Sequence, residues 1–341
     1  MTIIFSLLPI ILIVNYKNKS TIFFYLFIIF LILVAGLRFP EDPNNDTHNY
    51  FAAFETAKSN IESLNFEPAY SLINVVVVKL NLSFQWVLII MSCISILSIA
   101  WAGKRCGKNN YTVVMFFYLL TYYFSSFNAM RQFTGISILI LGYTYLKDYK
   151  VKSFLLCVLF ACLFHLSCFI ALVCFLFYKK EFKFSSTAVN CLIILSLIIG
   201  SLNITPRLLG YIEFVFPKYI GKYSSELLYG SSFSFSKLAL SFLFIYLYSQ
   251  MNKSNLYLKI VFIGIVMFNL MSFSGAAMRI AYCFTAGQCL LYAIPEYTKK
   301  TILNETIVLC YTLFIYYYML YFNISGILDY KFCDSKYIFL S

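Results

Sequence analysis

The sequence is poor in charged residues, which account for only 12% of its 341 residues, whereas 61% are hydrophobic. A soluble globular domain carries roughly 25% charged residues. This composition, with a mean hydropathy of +0.81, therefore excludes a soluble domain of this length. A membrane's hydrocarbon layer offers no partners to backbone polar groups, so long apolar runs favour helices over alternating strands. The predicted fold class is an all-α, polytopic transmembrane bundle.

The sequence also lacks the patterns that mark metal sites, disulfide frameworks and nucleotide sites. Eleven cysteines are present, but none form a Cys-x-x-Cys pair. Nine of them lie in apolar runs, where cysteine behaves as a small buried hydrophobe. The two histidines, His48 and His165, are far apart, and neither has a second ligand at metal-binding spacing. With no Gly-rich phosphate loop and no Asp-x-Asp pair either, we predict no metal and no cofactor.

Eleven apolar segments are candidate spans, although several are short. We expect the first to be a retained span rather than a signal peptide, because no basic region precedes it and no small-x-small cleavage site follows it. Residues 1–341 are predicted to form a single integral membrane domain. The candidate spans are residues 3–14, 21–37, 84–102, 111–127, 130–146, 153–177, 187–202, 236–251, 257–273, 277–294 and 302–322.

Lysine-rich clusters between these segments set the predicted orientation, and they explain the net charge of +12 without a nucleic acid partner. All the clusters can be cytoplasmic only if two segments do not cross. Residues 67–80 begin with Glu-Pro and are predicted to be an interfacial helix on the outer side. Residues 153–177 have lysines at both ends and would enter and return as a re-entrant hairpin around His165, leaving ten crossings. A straight crossing of residues 153–177, which inverts everything after it, is the open alternative.

This orientation leaves two polar loops on the outer face: residues 38–83, which include the interfacial helix, and residues 203–235. It also separates the two basic residue types, because 14 of 21 lysines fall inside while four of five arginines fall outside or at outer span ends. Arginine presents a planar fork that clasps phosphate oxygens through two hydrogen bonds, whereas lysine is a solvated point charge. We therefore predict an anionic ligand at the outer face. Its candidate ligands are Arg38, Arg131, Arg207 and Arg279.

Arg131 and Arg279 stand in matching positions between apolar runs, which favours a shared role over two side chains that merely reach for headgroups. Asn128 and Gln132 flank Arg131 and indicate a polar pocket, and Tyr282 follows Arg279 by one helical turn.

Three further residues are candidates for chemistry. Asp46 lies in an Asn-Asp-Thr-His-Asn-Tyr run near the membrane. Glu67 precedes Pro68 at a helix start, where capping that helix is the structural alternative. His165 interrupts an apolar segment at the turn that the topology requires, although a histidine in a span is often a hydrogen-bonded packing residue.

These motifs together resemble the EpsG family of Wzy-type polysaccharide polymerases, and the match runs in order from about residue 30 to about residue 295. Two departures occur: Pro-Asn-Asn-Asp stands where the family usually has a glycine pair around the Asp of the first loop, and Cys168 replaces a small residue after His-x-Ser. The motifs are Gly36-Leu37-Arg38, Asp46 to Tyr50, Glu67-Pro68-Ala69-Tyr70, Asn128-Ala129-Met130-Arg131-Gln132, Phe164-His165-Leu166-Ser167, and Arg279 before a Tyr-x-Phe.

The resemblance implies a multi-pass bacterial inner-membrane enzyme of the GT-C type, with its active site facing the periplasm. Such an enzyme joins oligosaccharide repeat units carried on undecaprenyl diphosphate into O-antigen, capsule or exopolysaccharide. Arginines would neutralise the diphosphate leaving group. A base, His165 first and then Asp46 or Glu67, would take the acceptor hydroxyl proton. Membrane lipid is an expected partner, and the resemblance also allows a chain-length regulator protein.

Other functions fit the same composition. A transporter or flippase would also hold arginines for an anionic lipid head, but we expect internal inverted repeats there and find no convincing repeat. An O-antigen ligase handles the same diphosphate lipid, and a membrane acyltransferase can also use a histidine. The sequence alone does not distinguish the ligase or the acyltransferase from a polymerase.

Overall fold

The computed structural model of the chain describes residues 2–18, 20–39, 46–107, 110–179, 183–205, 235–271, 273–298, 301–323 and 330–333. These residues fold into helices and contain no strand beyond two isolated bridges. The chain divides into two compact units. Unit 1 comprises residues 1–169, 292–294 and 312–341, and unit 2 comprises residues 170–291 and 295–311.

Unit 1 contains the first nine α-helices. Between α6 and α7 the backbone forms one π-helical turn, Leu119–Tyr123, and Ile61–Ser63 is a 3-10 turn. The α-helices are α1 (Thr2–Asn18), α2 (Thr21–Gly36), α3 (Asp46–Ser59), α4 (Pro68–Lys79), α5 (Phe84–Arg105), α6 (Tyr111–Tyr118), α7 (Ser125–Asn128), α8 (Met130–Lys147) and α9 (Val151–Phe164).

The remaining helices begin after His165, where a 3-10 helix, Leu166–Leu176, continues the chain from unit 1 into unit 2. Within unit 2, Asn269 donates hydrogen bonds to Ser196 and Ser241 and so ties three helices together. The helices after His165 are α10 (Ser186–Ser201), α11 (Phe235–Gln250), α12 (Leu256–Leu270), α13 (Gly275–Thr285), α14 (Gln288–Ala293) and α15 (Ile302–Tyr321). The three helices that Asn269 ties together are α10, α11 and α12.

The surfaces of these helices are those of a membrane protein. On α9, Leu155, Leu156, Leu159 and Phe160 are exposed, and α2 and α10 carry similar apolar faces. An apolar surface of this extent is not stable in water and is suited to lipid. The buried faces, by contrast, hold polar side chains such as Ser95 and Thr134, which hydrogen-bond each other at 2.8 Å.

Each predicted apolar segment is helical in the structure, so the all-α prediction is confirmed. By length and composition, α5 and α15 could each cross a membrane, and most of the other apolar helices have 10–17 residues. The 22 residues of α5 span roughly 33 Å, enough for a hydrocarbon layer of about 30 Å. The number of crossings stays a prediction.

One feature of residues 38–83 differs from the sequence expectation, and another agrees with it. A 14-residue helix, α3, lies in the part of residues 38–83 that we predicted to be a polar loop. Polar and charged residues make up eight of its 14 positions, but Tyr50, Phe54 and Ala57 recur at helical spacing and are buried. The helix predicted at residues 67–80 is present as α4, which begins with Pro68 after Glu67, a favourable arrangement because proline needs no amide partner at a helix start. Its interfacial position stays a prediction.

Candidate active site

Arg38 follows α2 and its side chain is buried, with only 6% of the residue exposed. Its Nη1 donates to the carbonyl of Ala35, and its Nη2 donates to the Phe127 carbonyl at 3.2 Å. Nη2 also lies 3.4 Å from Thr47 Oγ1 and 3.7 Å from Met130 Sδ. Burial lowers the pKa of Arg38 to about 10, so the guanidinium is still cationic at neutral pH.

The charge of Arg38 has no acidic partner in the described part of the chain, where no carboxylate lies within 4.0 Å of it. Its neighbours are neutral carbonyls, a hydroxyl, a thioether and the Phe127 ring, whose centroid is 5.3 Å from the guanidinium carbon. The buried Nε has no hydrogen-bond partner there either. A buried cation in neutral surroundings is costly unless an anion joins it.

The start of α3 is attached to the break between α7 and α8. The Asp46 amide donates to Asn128 Oδ1 at 2.7 Å, and Thr47 Oγ1 donates to the Phe127 carbonyl at 2.7 Å. Ala129, with φ −90° and ψ 56°, separates the two helices. Asp46 and Asn128 are therefore brought together, and both lie beside the group that accepts from Arg38.

Arg131, in the first turn of α8, forms an ion pair with Glu67 through Nη1 and Oε2. Three aromatic rings surround its guanidinium carbon, with centroids at 5.0 Å for Tyr50, 4.5 Å for Phe66 and 5.6 Å for Tyr70. Each contact is a cation–π attraction. Arg131 is thus neutralised by one carboxylate and enclosed by an aromatic cage, which we define as these three rings.

Glu67 does not cap its own helix, because its side chain makes no hydrogen bond to α4. Its second oxygen, Oε1, accepts instead from the Leu166 amide at 3.4 Å. The carboxylate therefore joins Arg131 to the first residue of the 3-10 helix. Capping a neighbouring helix start is electrostatically favourable for the same reason as capping its own.

His165 separates α9 from the 3-10 helix, with extended backbone angles of φ −156° and ψ 116°. Its Nδ1 lies 2.7 Å from Ser167 Oγ, and its carbonyl accepts from the Cys168 amide at 3.0 Å. The helix break that we predicted at Phe164 to Leu166 is present. Whether the segment re-enters or crosses stays a prediction.

Close packing holds this break against α8. A Cβ atom on Gly135 would lie 2.7 Å from Cys168 Sγ and 3.0 Å from the Ala161 carbonyl oxygen. Only glycine therefore allows α8 to approach the break so closely. Gln132, between Arg131 and Gly135, is almost fully buried at 1% exposure.

A small cavity beside Arg38 is lined by both polar and apolar side chains and has room for about one water molecule. Ser92, Ser95, Ser126 and Thr134 supply hydroxyl groups to its lining. The structure thus surrounds Arg38 with dipoles rather than with apolar side chains alone.

Unit 1 therefore brings together most of the residues singled out from the sequence: Arg38, Asp46, Glu67, Asn128, Arg131, Gln132 and His165. Arg279 and Tyr282 lie one turn apart on α13 of unit 2, and Tyr282 packs against Phe268 with ring centroids 6.1 Å apart. Their roles stay predictions. Arg207 lies outside the described residues.

Sequence reasoning missed the aromatic cage and the anchoring residues Thr47 and Gln85. Gln85 Nε2, from α5, donates to the Arg38 carbonyl at 2.7 Å. Two of the family motifs, Asp46 to Tyr50 and Glu67 to Tyr70, each end in a tyrosine. That shared tyrosine was the available signal for the aromatic cage. Nothing in the local sequence distinguishes Gln85 from other polar residues in apolar helices.

Comparison with known proteins gives one positive result. The model of the EpsG family matches residues 21–332, which is most of the chain. No curated protein and no solved structure shows significant similarity. We call Arg38, Asp46, Glu67, Asn128, Arg131, Gln132 and His165 the arginine cluster. The matched region includes α2 to α9, which hold or adjoin this cluster, and α13 as well. The chain therefore belongs to the EpsG family, a family of Wzy-type polysaccharide polymerases.

Proposed function

We propose that this protein polymerises oligosaccharide repeat units carried on undecaprenyl diphosphate, at the periplasmic face of the bacterial inner membrane. The bond between the anomeric carbon and the diphosphate breaks, and a bond to a hydroxyl oxygen of the next lipid-linked unit forms. The acceptor proton passes to a base and the diphosphate leaves as an anion. The observation that carries the proposal is the grouping of two arginines, a carboxylate and a histidine-marked helix break in unit 1.

Arg38 is the residue best suited to the leaving group. It is a buried cation whose described neighbours are neutral, and a diphosphate would supply the missing negative charge. The interaction would strengthen as charge develops on the leaving oxygen, which is the condition for lowering the barrier. A fixed cation of this kind serves without a metal or a nucleotide.

Arg131 would bind the same diphosphate by exchanging its acidic partner. Glu67 occupies Arg131 in the structure, so an arriving diphosphate competes with Glu67 for the guanidinium. The divalent head carries more charge and offers two acceptor oxygens to the planar fork. The exchange would free a carboxylate next to His165 only when a donor is bound, which limits proton uptake to the loaded state.

His165 is our first candidate for the base that takes the acceptor proton. When Nδ1 carries the ring hydrogen and donates it to Ser167, Nε2 is the basic nitrogen. Glu67 is the second candidate once it leaves Arg131. Asp46 is the third, and its attachment to Asn128 places it beside the Arg38 end of the cluster.

The test is the surface-polysaccharide pattern of a deletion strain complemented with wild-type or variant protein. We expect deletion to abolish long chains while single capped repeat units persist, and Arg38→Ala to reproduce that pattern at matched membrane levels. Loss of all units would instead identify a flippase or a ligase and would overturn the polymerase assignment. A chain-length regulator, if present, would alter the length distribution without restoring polymer to Arg38→Ala.

A further inference from the structure

A short C-terminal segment, residues 330–333, contacts the backbone on both sides of Arg38. The Phe39 amide donates to the Lys331 carbonyl at 2.8 Å, and the Cys333 amide donates to the Leu37 carbonyl at 2.9 Å. These two bonds form an antiparallel bridge between Arg38 and Phe332. Two segments that are nearly 300 positions apart in the sequence are therefore hydrogen-bonded at Arg38, the residue that carries the buried charge.

Tyr330 strengthens the same attachment. Its hydroxyl donates to the Val34 carbonyl at 2.6 Å, in the last turn of α2, where helical carbonyls lack intrahelical partners. Its ring lies edge-on to Phe5 at 5.4 Å and tilted against Phe127 at 6.3 Å. Phe127 is the residue whose carbonyl accepts from Arg38 and whose ring lies beneath the guanidinium.

We propose that residues 330–333 are a positioning element for Arg38 that fixes the guanidinium for the lipid diphosphate. The inference rests on the proposed function of Arg38. Gln85 holds the Arg38 carbonyl from one direction, and the C-terminal segment holds Leu37 and Phe39, so the backbone cannot rotate without breaking several hydrogen bonds. A cation held in this way needs no reorganisation when the leaving group becomes charged.

The position of the Cys333 amide allows a test confined to the backbone. Cys333→Pro removes the N–H that donates to Leu37, whereas Cys333→Ala keeps it and serves as the matched control. Tyr330→Phe removes only the hydroxyl bond to Val34 and is the milder second variant. The full-length protein is reconstituted in vesicles, and affinity for undecaprenyl diphosphate is measured alongside the thermal unfolding midpoint.

We expect Cys333→Pro to weaken diphosphate binding about tenfold and Tyr330→Phe about threefold, the scale of a single hydrogen bond, while Cys333→Ala binds like wild type. In an Arg38→Ala background, Cys333→Pro should cause no further loss, because a positioning element acts only through the residue it positions. Equal affinities for Cys333→Pro and Cys333→Ala, or losses that add to that of Arg38→Ala, would overturn the inference. Absence of binding by the wild type would overturn the proposed function itself.

Discussion

The two candidate arginines of unit 1, Arg38 and Arg131, differ in how their charges are balanced. Arg131 has a carboxylate partner and an aromatic cage, whereas Arg38 has neutral contacts among the described residues. Arg131 is therefore stable without a ligand, and Arg38 gains most from one. This difference predicts separate consequences for substitution at the two positions.

Arg131→Lys tests whether the guanidinium fork matters beyond its charge. Lysine keeps a cation near headgroups but loses the paired donors, so we expect polymer formation to fall roughly ten- to a thousandfold, the scale of losing one preorganised donor. The control is Arg105→Lys. Arg105 donates to Thr144 at 2.8 Å and pairs with Asp148 at 2.5 Å, outside the cluster.

Chain-length distribution on a gel, at membrane levels matched by immunoblot, is the measurement. Arg279→Lys is assayed in parallel, because the sequence predicts the same role for Arg279. A wild-type ladder from Arg131→Lys would show that the residue only anchors its helix.

Glu67→Gln tests the proposed exchange at Arg131. The amide retains an oxygen that can accept from the Leu166 amide, but it removes the negative charge that competes for Arg131. We expect undecaprenyl diphosphate to bind about three- to tenfold more tightly, since a partly buried ion pair no longer has to be broken. Polymer formation should fall at the same time, because the released carboxylate is absent.

The informative result for Glu67→Gln is tighter binding of undecaprenyl diphosphate together with reduced polymer formation. Binding that weakens together with turnover would mean that Glu67 supports Arg131 structurally and does not compete with the diphosphate.

At the scale of the elements, the candidate site is built from the ends of helices and the breaks between them. Four breaks meet here: the end of α2 at Gly36, the Ala129 break before α8, the start of α4 after Glu67, and His165. Each break releases backbone groups that the cluster then uses, such as the Phe127 carbonyl and the Leu166 amide. A continuous helix would bind these groups internally and leave no acceptor or donor for the side chains.

Gly135→Ala should disturb the His165 break through packing alone. The new methyl group would meet the Ala161 carbonyl, which is backbone and cannot rotate away, so we expect about 1–3 kcal/mol of destabilisation and reduced polymer formation. The control is Gly142→Ala, whose Cβ would lie 3.0 Å from Cys157 Cβ, two turns away from Gly135. It should lower the thermal midpoint similarly while polymer formation stays closer to wild type.

If Gly142→Ala reduces polymer as strongly as Gly135→Ala at equal stability, the position of the His165 break has no special importance.

Local patterns were sufficient to predict the apolar helices, because lipid-exposed segments must satisfy their own backbone bonds and so carry a strong signal. The break at His165 was predicted from the lysines at both ends of residues 153–177. Local patterns were also sufficient to predict Arg38, Glu67 and Arg131 as candidates. They could not predict that Glu67 pairs with Arg131 across 64 positions, or that residue 333 bonds to residue 37. Such contacts depend on tertiary packing. The helix α3 was missed because its polar residues mask a buried face of only a few side chains.

The topology of the whole molecule depends on whether residues 153–177 cross the membrane. The lysine clusters predict that these residues enter and return on the same side. Tyr149 and Lys183 are both exposed and lie on either side of this segment. The 14 residues of α9 extend about 21 Å and the 11 residues of the following 3-10 helix about 22 Å, so the break at His165 divides the segment into two arms of nearly equal length, each shorter than a hydrocarbon layer of about 30 Å. That length suits a segment which enters and returns, so we expect both positions to face the cytoplasm, as the positive-inside rule requires.

Single cysteines at Tyr149, Lys183 and Asn60, in a background with the exposed Cys191 and Cys310 changed to serine, provide the measurement. An impermeant maleimide added to intact spheroplasts should label Asn60, which lies in the first predicted outer loop, and should leave Tyr149 and Lys183 unlabelled until the membrane is permeabilised. Labelling of Lys183 but not Tyr149 would establish a straight crossing. The arginine of α13 would then move to the opposite side from Arg38, and the diphosphate would have to be bound by the arginines of unit 1 alone.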